Sequence, residues 1–233
     1  MKKIGIIIFI IALFIGVIFA NIFSFGQTSA RFFKFNVNFG SEKGSGNVVK
    51  QGRDVSGFTQ VDVSNSIQVE ITAQKDFSVE VEADDNLLPL VKTEVRNGIL
   101  SIETDGRYNS RNPIIVRVSA PNVEDLDVSG ASKVHLSNLN NESLKVHSSG
   151  ASKIKVEGNT INLEIETSGA SKIDAENLKS ENVSVDASGA SNVSVSVSND
   201  LKVDASGASN ISYIGKPANF DRKTSGASNV KQK

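Results

Sequence analysis

Lysine and asparagine side chains recur at one position of a repeated sequence in the C-terminal half of the chain. The spacing between successive members is 18 to 20 residues, and they are Lys133, Lys153, Lys172, Asn192, Asn210 and Asn229. Stacked lysines could hold an anionic glycan or a lipid head group, and stacked asparagines could form a hydrogen-bonded amide row. A solvated face that only keeps the protein soluble has the same composition. The row is therefore a candidate binding surface whose ligand the sequence does not name.

Carboxylates recur as well, and they raise the alternative of an enzyme. Some β-helical enzymes cleave polysaccharides with two carboxylates that converge in a groove. Asp186 and Asp204 occupy equivalent positions of adjacent repeats, so the repeat itself accounts for both. His135 and His147 fall at different repeat positions and belong to different rows. The sequence has no P-loop, dinucleotide fingerprint, nucleophile elbow or zinc-protease motif. We therefore predict no catalytic residue, no metal site and no cofactor.

The motif Ser-Gly-Ala-Ser, which occurs six times, positions these side chains. When its glycine is counted as position zero, positions −6 and −4 are apolar in the middle copies and position +4 is always β-branched. Apolar and polar residues alternate on both sides of the motif, which indicates short strands with one buried face. A third apolar point falls near Leu139, Ile161, Leu178 and Val197. Because one copy cannot bury its apolar side alone, the period predicts coils that stack into a solenoid.

The glycine of each motif indicates a corner between strands. Glycine adopts backbone conformations that other residues avoid, and alanine and serine are small enough to recur at the strand spacing of about 4.8 Å. Serine hydroxyls can also bond backbone groups that are left unpaired at a bend. We therefore predict a structural role for the six corner glycines, Gly130, Gly150, Gly169, Gly189, Gly207 and Gly226.

Residues 1–30 carry an anchoring or targeting segment. Lys2 and Lys3 precede an unbroken apolar run from Ile4 to Ala20, longer than a usual signal-peptide core and close to the length of a membrane span. We predict a retained transmembrane helix with its lysines on the cytoplasmic side, which puts the remainder outside the cytoplasm. Cleavage after the small residues ending at Ala30 is the alternative, and it would make the protein secreted or periplasmic.

Composition divides the remainder into three parts. Residues 31–57, rich in glycine and charge, predict a flexible linker, residues 58–120 predict an N-terminal β region, and residues 121–233 hold the repeats. The predicted fold is all-β: a β-solenoid (β-helix-like) of stacked 18–20-residue coils, with a wider, less regular N-terminal half that caps one end. The chain has no cysteine, which excludes disulfides, and its 25 basic and 26 acidic residues argue against a nucleic-acid partner.

Three stretches of the sequence resemble a known family, the putative auto-transporter adhesin head GIN domain. They are the run from Pro121 to Ala131 with the repeats after it, Asp84-Asp85-Asn86-Leu87-Leu88, and the run from Val95 to Ile102. The resemblance covers about Phe58 to Val230. It implies a β-helix-like fold and a place on the bacterial cell envelope, and it brings no catalytic residues.

These observations together predict a membrane-anchored, extracytoplasmic binding or scaffold module that is adhesin-like. Its expected partners are the membrane, through the N-terminal helix, and a glycan or another component of the envelope surface. Two alternatives stay open at this point: a β-helical carbohydrate-active enzyme, and a regulatory domain that senses the state of the envelope.

Overall fold

The computed structural model describes residues 41–233, which form strands and turns with a single 3₁₀ turn at Leu88–Leu90. The predicted anchor, residues 1–30, and the first part of the predicted linker, residues 31–40, lie outside the described residues. The strands are β1 Glu42–Lys43, β2 Val48–Arg53, β3 Gln60–Val63, β4 Gln68–Ala73, β5 Ser78–Asp84, β6 Val91–Arg96, β7 Ile99–Thr104, β8 Tyr108–Asn109, β9 Ile115–Ala120, β10 Asp125–Val128, β11 Lys133–Ser148, β12 Lys153–Thr167, β13 Lys172–Ala187, β14 Asn192–Ala205, β15 Asn210–Ile214, β16 Asn219–Thr224 and β17 Asn229–Gln232.

The repeats form a parallel β-solenoid of about five stacked turns. Each of the long strands β11 to β14 runs from just after one Ser-Gly-Ala-Ser corner to just before the next, and each pairs in parallel with the strand one coil away. The register equates repeat positions, as in the pairing of Val134 with Ile154 and of Val146 with Ile165. The predicted all-β solenoid is confirmed for the described residues.

The core is a set of apolar rows that follow the repeat positions. Every side chain at position +4 is at most 8% exposed: Val134, Ile154, Ile173, Val193, Ile211 and Val230. The pairs at positions −6 and −4 of the four middle copies are buried as well, as the alternation predicts. Within each row, the apolar side chain of one coil packs against the equivalent side chain of the next coil. Each coil is therefore buried by its neighbours.

The prediction for the third apolar point was wrong at Ile161. Leu139, Leu178 and Val197 are buried, but Ile161 is 41% exposed and Thr160 is buried instead. The coil from Gly150 to Gly169 is one residue shorter than the coil before it, and Gly158 lies opposite Leu139. Because side chains alternate between the two faces of a strand, this one-residue difference turns Ile161 outward.

The N-terminal half stacks on the repeats in an order that differs from the order of the chain. Strands β3 and β4 form a coil that contacts the first repeat through β10 and β11. The next segments, β7 and β9, form a coil on the far side of β3 and β4. After β4 the chain therefore forms the outer coil. After β9 it crosses to the opposite side of β3 and β4, where β10 begins the repeats.

Antiparallel strands cap the outer end of this half. Strand β6 pairs with β7, and β5 pairs with β9, so the outermost parallel strands do not leave their edges open. Strand β2 in turn pairs antiparallel with β5. The parallel edges of the last coil are thereby paired, and the antiparallel strands β2 and β6 become the edge strands at that end.

Part of the stretch predicted as a linker is tied to this cap. Residues 42–53 contain β1 and β2, and the turn between the two strands is held by Asp84, Asp85 and Asn86. The Asp85 carboxylate accepts hydrogen bonds from the side chains of Ser45 (2.5 Å) and Asn47 (3.0 Å). These bonds hold the pKa of Asp85 below its usual value. The domain is thus ordered well before Phe58, where the sequence pattern placed its start.

Hydroxyl groups form a small polar strip inside the solenoid. The second serine of each motif, at position +2, points inward, and five of the six are at most 1% exposed: Ser132, Ser152, Ser171, Ser191 and Ser209. Ser148 is also buried, and its Oγ lies 2.6 Å from Ser152 Oγ and 2.8 Å from Ser171 Oγ. These bonds satisfy groups that would otherwise be costly to bury.

Candidate binding surface of the solenoid

The corner glycines set the register of every outward row. All six have positive φ, between 69° and 99°. At each corner the alanine N–H donates to the carbonyl oxygen of the residue at position zero one coil back, for example Ala170 to Gly150 at 2.7 Å. The hydrogen-bonded ladder therefore continues around the bend, and the side chains on both flanks remain aligned. The predicted structural role of these glycines agrees with this geometry.

A seventh corner lies one coil before the first motif, at Asn65. It has φ of 74°, and its carbonyl oxygen accepts a hydrogen bond from the N–H of Ala131 at 2.7 Å. Its side chain is held by the carbonyl of Thr104 at 2.8 Å. The sequence Val63-Ser64-Asn65-Ser66 is a variant of the motif, with asparagine as one of the few residues that tolerate positive φ. An asparagine in place of the motif glycine, next to serine, is the sequence signal by which this copy could have been found.

The predicted row at position +3 is present and outward-facing. Backbone pairing places its members on consecutive coils, and all six are exposed: Lys133, Lys153, Lys172, Asn192, Asn210 and Asn229. Gln68 extends the row by one coil, next to Lys133. At a strand spacing of about 4.8 Å, the first and third lysines are about 10 Å apart along the solenoid.

Charges next to the lysines are already paired with one another. Glu157 lies 2.6 Å from Lys155 Nζ and 2.9 Å from His135 Nε2. The Lys155 hydrogen bond, with those from His135 and Asn177, lowers the pKa of Glu157 to about 2. Glu70 pairs with Arg117 at 3.2 Å. Within residues 41–233, no carboxylate forms an ion pair with any of the three lysines at position +3. The Lys233 hydrogen bond lowers the pKa of the Glu176 carboxyl, and the charge of Lys172 is felt there and lowers it further.

An open trough of about 350 Å³ runs beside this row. One wall is position +3 and the other is position +5, and the bottom between them is the strand backbone at Val69, Val134 and Ile154, whose side chains are buried in the core. The polar residues of the two walls are Gln68, Lys133, Lys153 and Lys172 on one side, and Glu70, His135, Lys155 and Asp174 on the other. The trough can therefore receive an elongated group that meets cations along one wall.

A second outward row, at position −3, contains Asp186 and Asp204 and is mainly acidic. Backbone pairing joins Asp62, Asp127, His147, Glu166, Asp186, Asp204 and Lys223 in that order. Burial raises the pKa of the Asp62 carboxyl, and the charges of Asp127 and Glu103 raise it further. A depression of about 380 Å³ lies against the middle of this row and the adjoining serines.

The acids and histidines of the rows follow the repeat register. Asp186 and Asp204 pair on adjacent coils and are both exposed, and Asp186 lines the depression together with Asp127, His147 and Glu166. The histidines lie in separate rows, as predicted, with His147 Nδ1 3.3 Å from a Glu166 oxygen. No group of three potential metal ligands occurs within residues 41–233.

A hydrogen-bonded amide row exists, but at a repeat position that the sequence reasoning missed. Asn182 donates to Asn162 at 2.9 Å, and Asn199 donates to Asn182 at 3.0 Å. Asn219 then donates to Asp200 at 2.6 Å. Asn162, Asn182, Asp200 and Asn219 all lie at position −7. Counting asparagines at every offset from the glycine, and not only after the motif, would have found this row.

The fold and its rows define a class of protein: a capped β-solenoid that displays side chains at regular intervals. The model of one family, described as putative auto-transporter adhesin, head GIN domain, matches residues 57–217. The chain belongs to this family, as the resemblance predicted. No curated protein matches the sequence.

Solved structures show the same fold. A putative adhesin from Bacteroides fragilis has a TM-score of 0.67 at 18% identity, over 82% of this chain and 99% of that chain. Putative adhesins from Parabacteroides distasonis (TM-score 0.54; 83% and 100% covered) and Parabacteroides merdae (0.52; 82% and 98%) are also 18% identical. At this identity the likeness concerns the fold.

Proposed function

We propose that the chain is an adhesin-like binding module held on the outside of a bacterial membrane by its N-terminal segment. The observation that carries the proposal is the set of three exposed lysines at position +3, stacked on consecutive coils without ion-pair partners among residues 41–233. Stacked like charges repel one another, so a row of lysines without ion-pair partners favours a role in contact with another molecule. The family description and the names of the similar structures support adhesion as that role.

The anchor half of the proposal rests on the sequence. Lys2 and Lys3 followed by the apolar run to Ala20 favour a spanning helix with an external C-terminal domain. Within residues 41–233 the structure has no helix long and apolar enough to cross a membrane. The segment to test is the apolar run from Ile4 to Ala20.

Both halves can be tested in one preparation of cells that express the full chain. The protein should remain with membranes after carbonate washing, and protease added to intact spheroplasts should remove the solenoid. Detergent-solubilised full chain should then bind fragments of the cell envelope. Release of a soluble product that starts at Arg31 would refute the anchor, and failure to bind any envelope material would refute the binding role.

A further inference from the structure

The trough at positions +3 and +5 has two chemically different walls. The +3 wall carries amines that have no ion-pair partner within residues 41–233, at Lys133, Lys153 and Lys172. On the +5 wall the Lys155 amine is paired with Glu157, which also contacts His135 Nε2. The +5 wall also carries two acids: Glu70, which is paired with Arg117, and Asp174, which has no ion-pair partner within residues 41–233. A ligand in the trough therefore meets attraction from one side and repulsion along parts of the other.

This asymmetry selects the shape of an anionic ligand. A flat anionic membrane laid over the face would meet the carboxylate of Asp174 together with the lysines. A single chain lying along the +3 wall meets the lysines at close range and need not approach Asp174 on the opposite wall. The solenoid makes the lysines recur along one line, so the matching ligand is extended and carries repeated charges.

We propose that this trough binds one chain of an anionic polysaccharide, with carboxylate or sulfate groups against Lys133, Lys153 and Lys172. The proposal rests on the proposed function, because it names the ligand class of the same surface. The charged footprint covers three coils, about 10 Å at the strand spacing. Beyond Lys172 the row continues as Asn192, Asn210 and Asn229, which can hydrogen-bond to sugar hydroxyls without selecting for charge.

The test uses the full chain in a neutral detergent, with dextran sulfate as probe and unsulfated dextran as its matched neutral polymer. Dextran sulfate should bind and dextran should not, and added salt should weaken binding because these are exposed charges. The variant Lys133→Gln/Lys153→Gln/Lys172→Gln should lose about tenfold in affinity, at about half a kcal/mol for each exposed pair. The arginine triple at the same positions should retain binding.

A matched control removes three other exposed lysines that do not line the trough: Lys179→Gln, Lys202→Gln and Lys216→Gln. This variant has the same net charge as the trough variant and should bind within about twofold of the native protein. Equal losses in the two variants would show attraction by overall charge and would overturn the proposal. Asp174→Asn, which removes a carboxylate from the trough, should tighten binding, and weaker binding would also count against it.

Two further binding measurements distinguish failure of this inference from failure of the proposed function. Mixed micelles of phosphatidylglycerol and the same detergent should compete poorly with dextran sulfate, and strong competition that depends on the same three lysines would replace the polysaccharide by an anionic lipid surface. Envelope fragments that bind equally to the native protein and the lysine variant would refute the inference and leave the binding role intact. Absence of binding to envelope fragments would refute the proposed function itself.

Discussion

A Cβ atom placed on Gly169 would lie 2.5 Å from the carbonyl oxygen of Gly150, one coil away. The same oxygen accepts the hydrogen bond of the Ala170 N–H at 2.7 Å. Because glycine has no Cβ atom, the hydrogen bonds between adjacent coils can continue through the bend. The relationship recurs along the solenoid, with corresponding distances of 2.5 to 2.6 Å from Gly150 to Gly226.

We expect Gly169→Ala to lower the free energy of unfolding for two reasons. Its φ of 99° is unfavourable for alanine, at about 1–2 kcal/mol, and the clash with backbone should add about 1–3 kcal/mol. Gly106→Ala is the control, since Gly106 has φ of 93° but open space around its Cβ position. Urea denaturation of both variants measures the difference, and equal losses would mean that the neighbouring coil exerts no steric demand.

Whole coils should be removable. Deleting residues 151–169 joins Gly150 to Ala170 and rebuilds Ser-Gly-Ala-Ser at the junction. Each coil contacts only its neighbours, so the shortened protein should retain a β-type circular dichroism spectrum and a cooperative melt. Deleting residues 151–160 removes about half a coil and should abolish the cooperative melt, because strands would then occupy corner positions. Similar behaviour of the two deletions would contradict the stacking of coils as units.

The Glu157 cluster should make stability depend on pH in a defined window. The pKa of Glu157 is lowered from about 4.5 to about 2 in the folded protein. The ionised carboxylate therefore stabilises the fold above pH 4.5, and this contribution is lost as the pH falls towards 2. Glu157→Gln should be less stable than the native protein at pH 7, and the difference should shrink below pH 4.5. A difference that stays constant from pH 7 to pH 2.5 would show that Glu157 is not held by these contacts.

Asp186 and Asp204 should be dispensable for function. They lie on adjacent coils as exposed like charges, so Asp186→Asn with Asp204→Asn should leave stability unchanged or raise it slightly. Binding to envelope fragments should be unaffected. Hydrolysis of a polysaccharide by the native protein that the double variant lacks would instead identify an enzyme.

The repeat positions could be predicted from sequence because they depend on local rules. Alternation with period two fixes which side of a strand is buried, and it placed Val134, Ile154 and their equivalents correctly. The same rule failed at Ile161, where a coil shorter by one residue changes the register. It also left the inward serines unassigned, because a small polar side chain satisfies either face when partners such as Ser148 are present.

The candidate site was predictable as a row but not as a trough. The register of Lys133, Lys153 and Lys172 follows from spacing alone. That Glu157 contacts Lys155 and His135, and not the three lysines at position +3, depends on side-chain directions across two coils. The order of the N-terminal coils was likewise out of reach, since nothing local in residues 60–73 indicates that a later segment will lie on their far side.

The order of the N-terminal coils means that repeats are added to the solenoid from one side only. The coil on which the repeats rest, β3 and β4, is complete on its outer side once β9 has been made, before any repeat leaves the ribosome. Repeats can then join a finished template one at a time, in the order of synthesis. Duplication or loss of a unit between two Ser-Gly-Ala-Ser corners leaves that template untouched. The height at which the module presents its surface can therefore change during evolution in steps of about 4.8 Å.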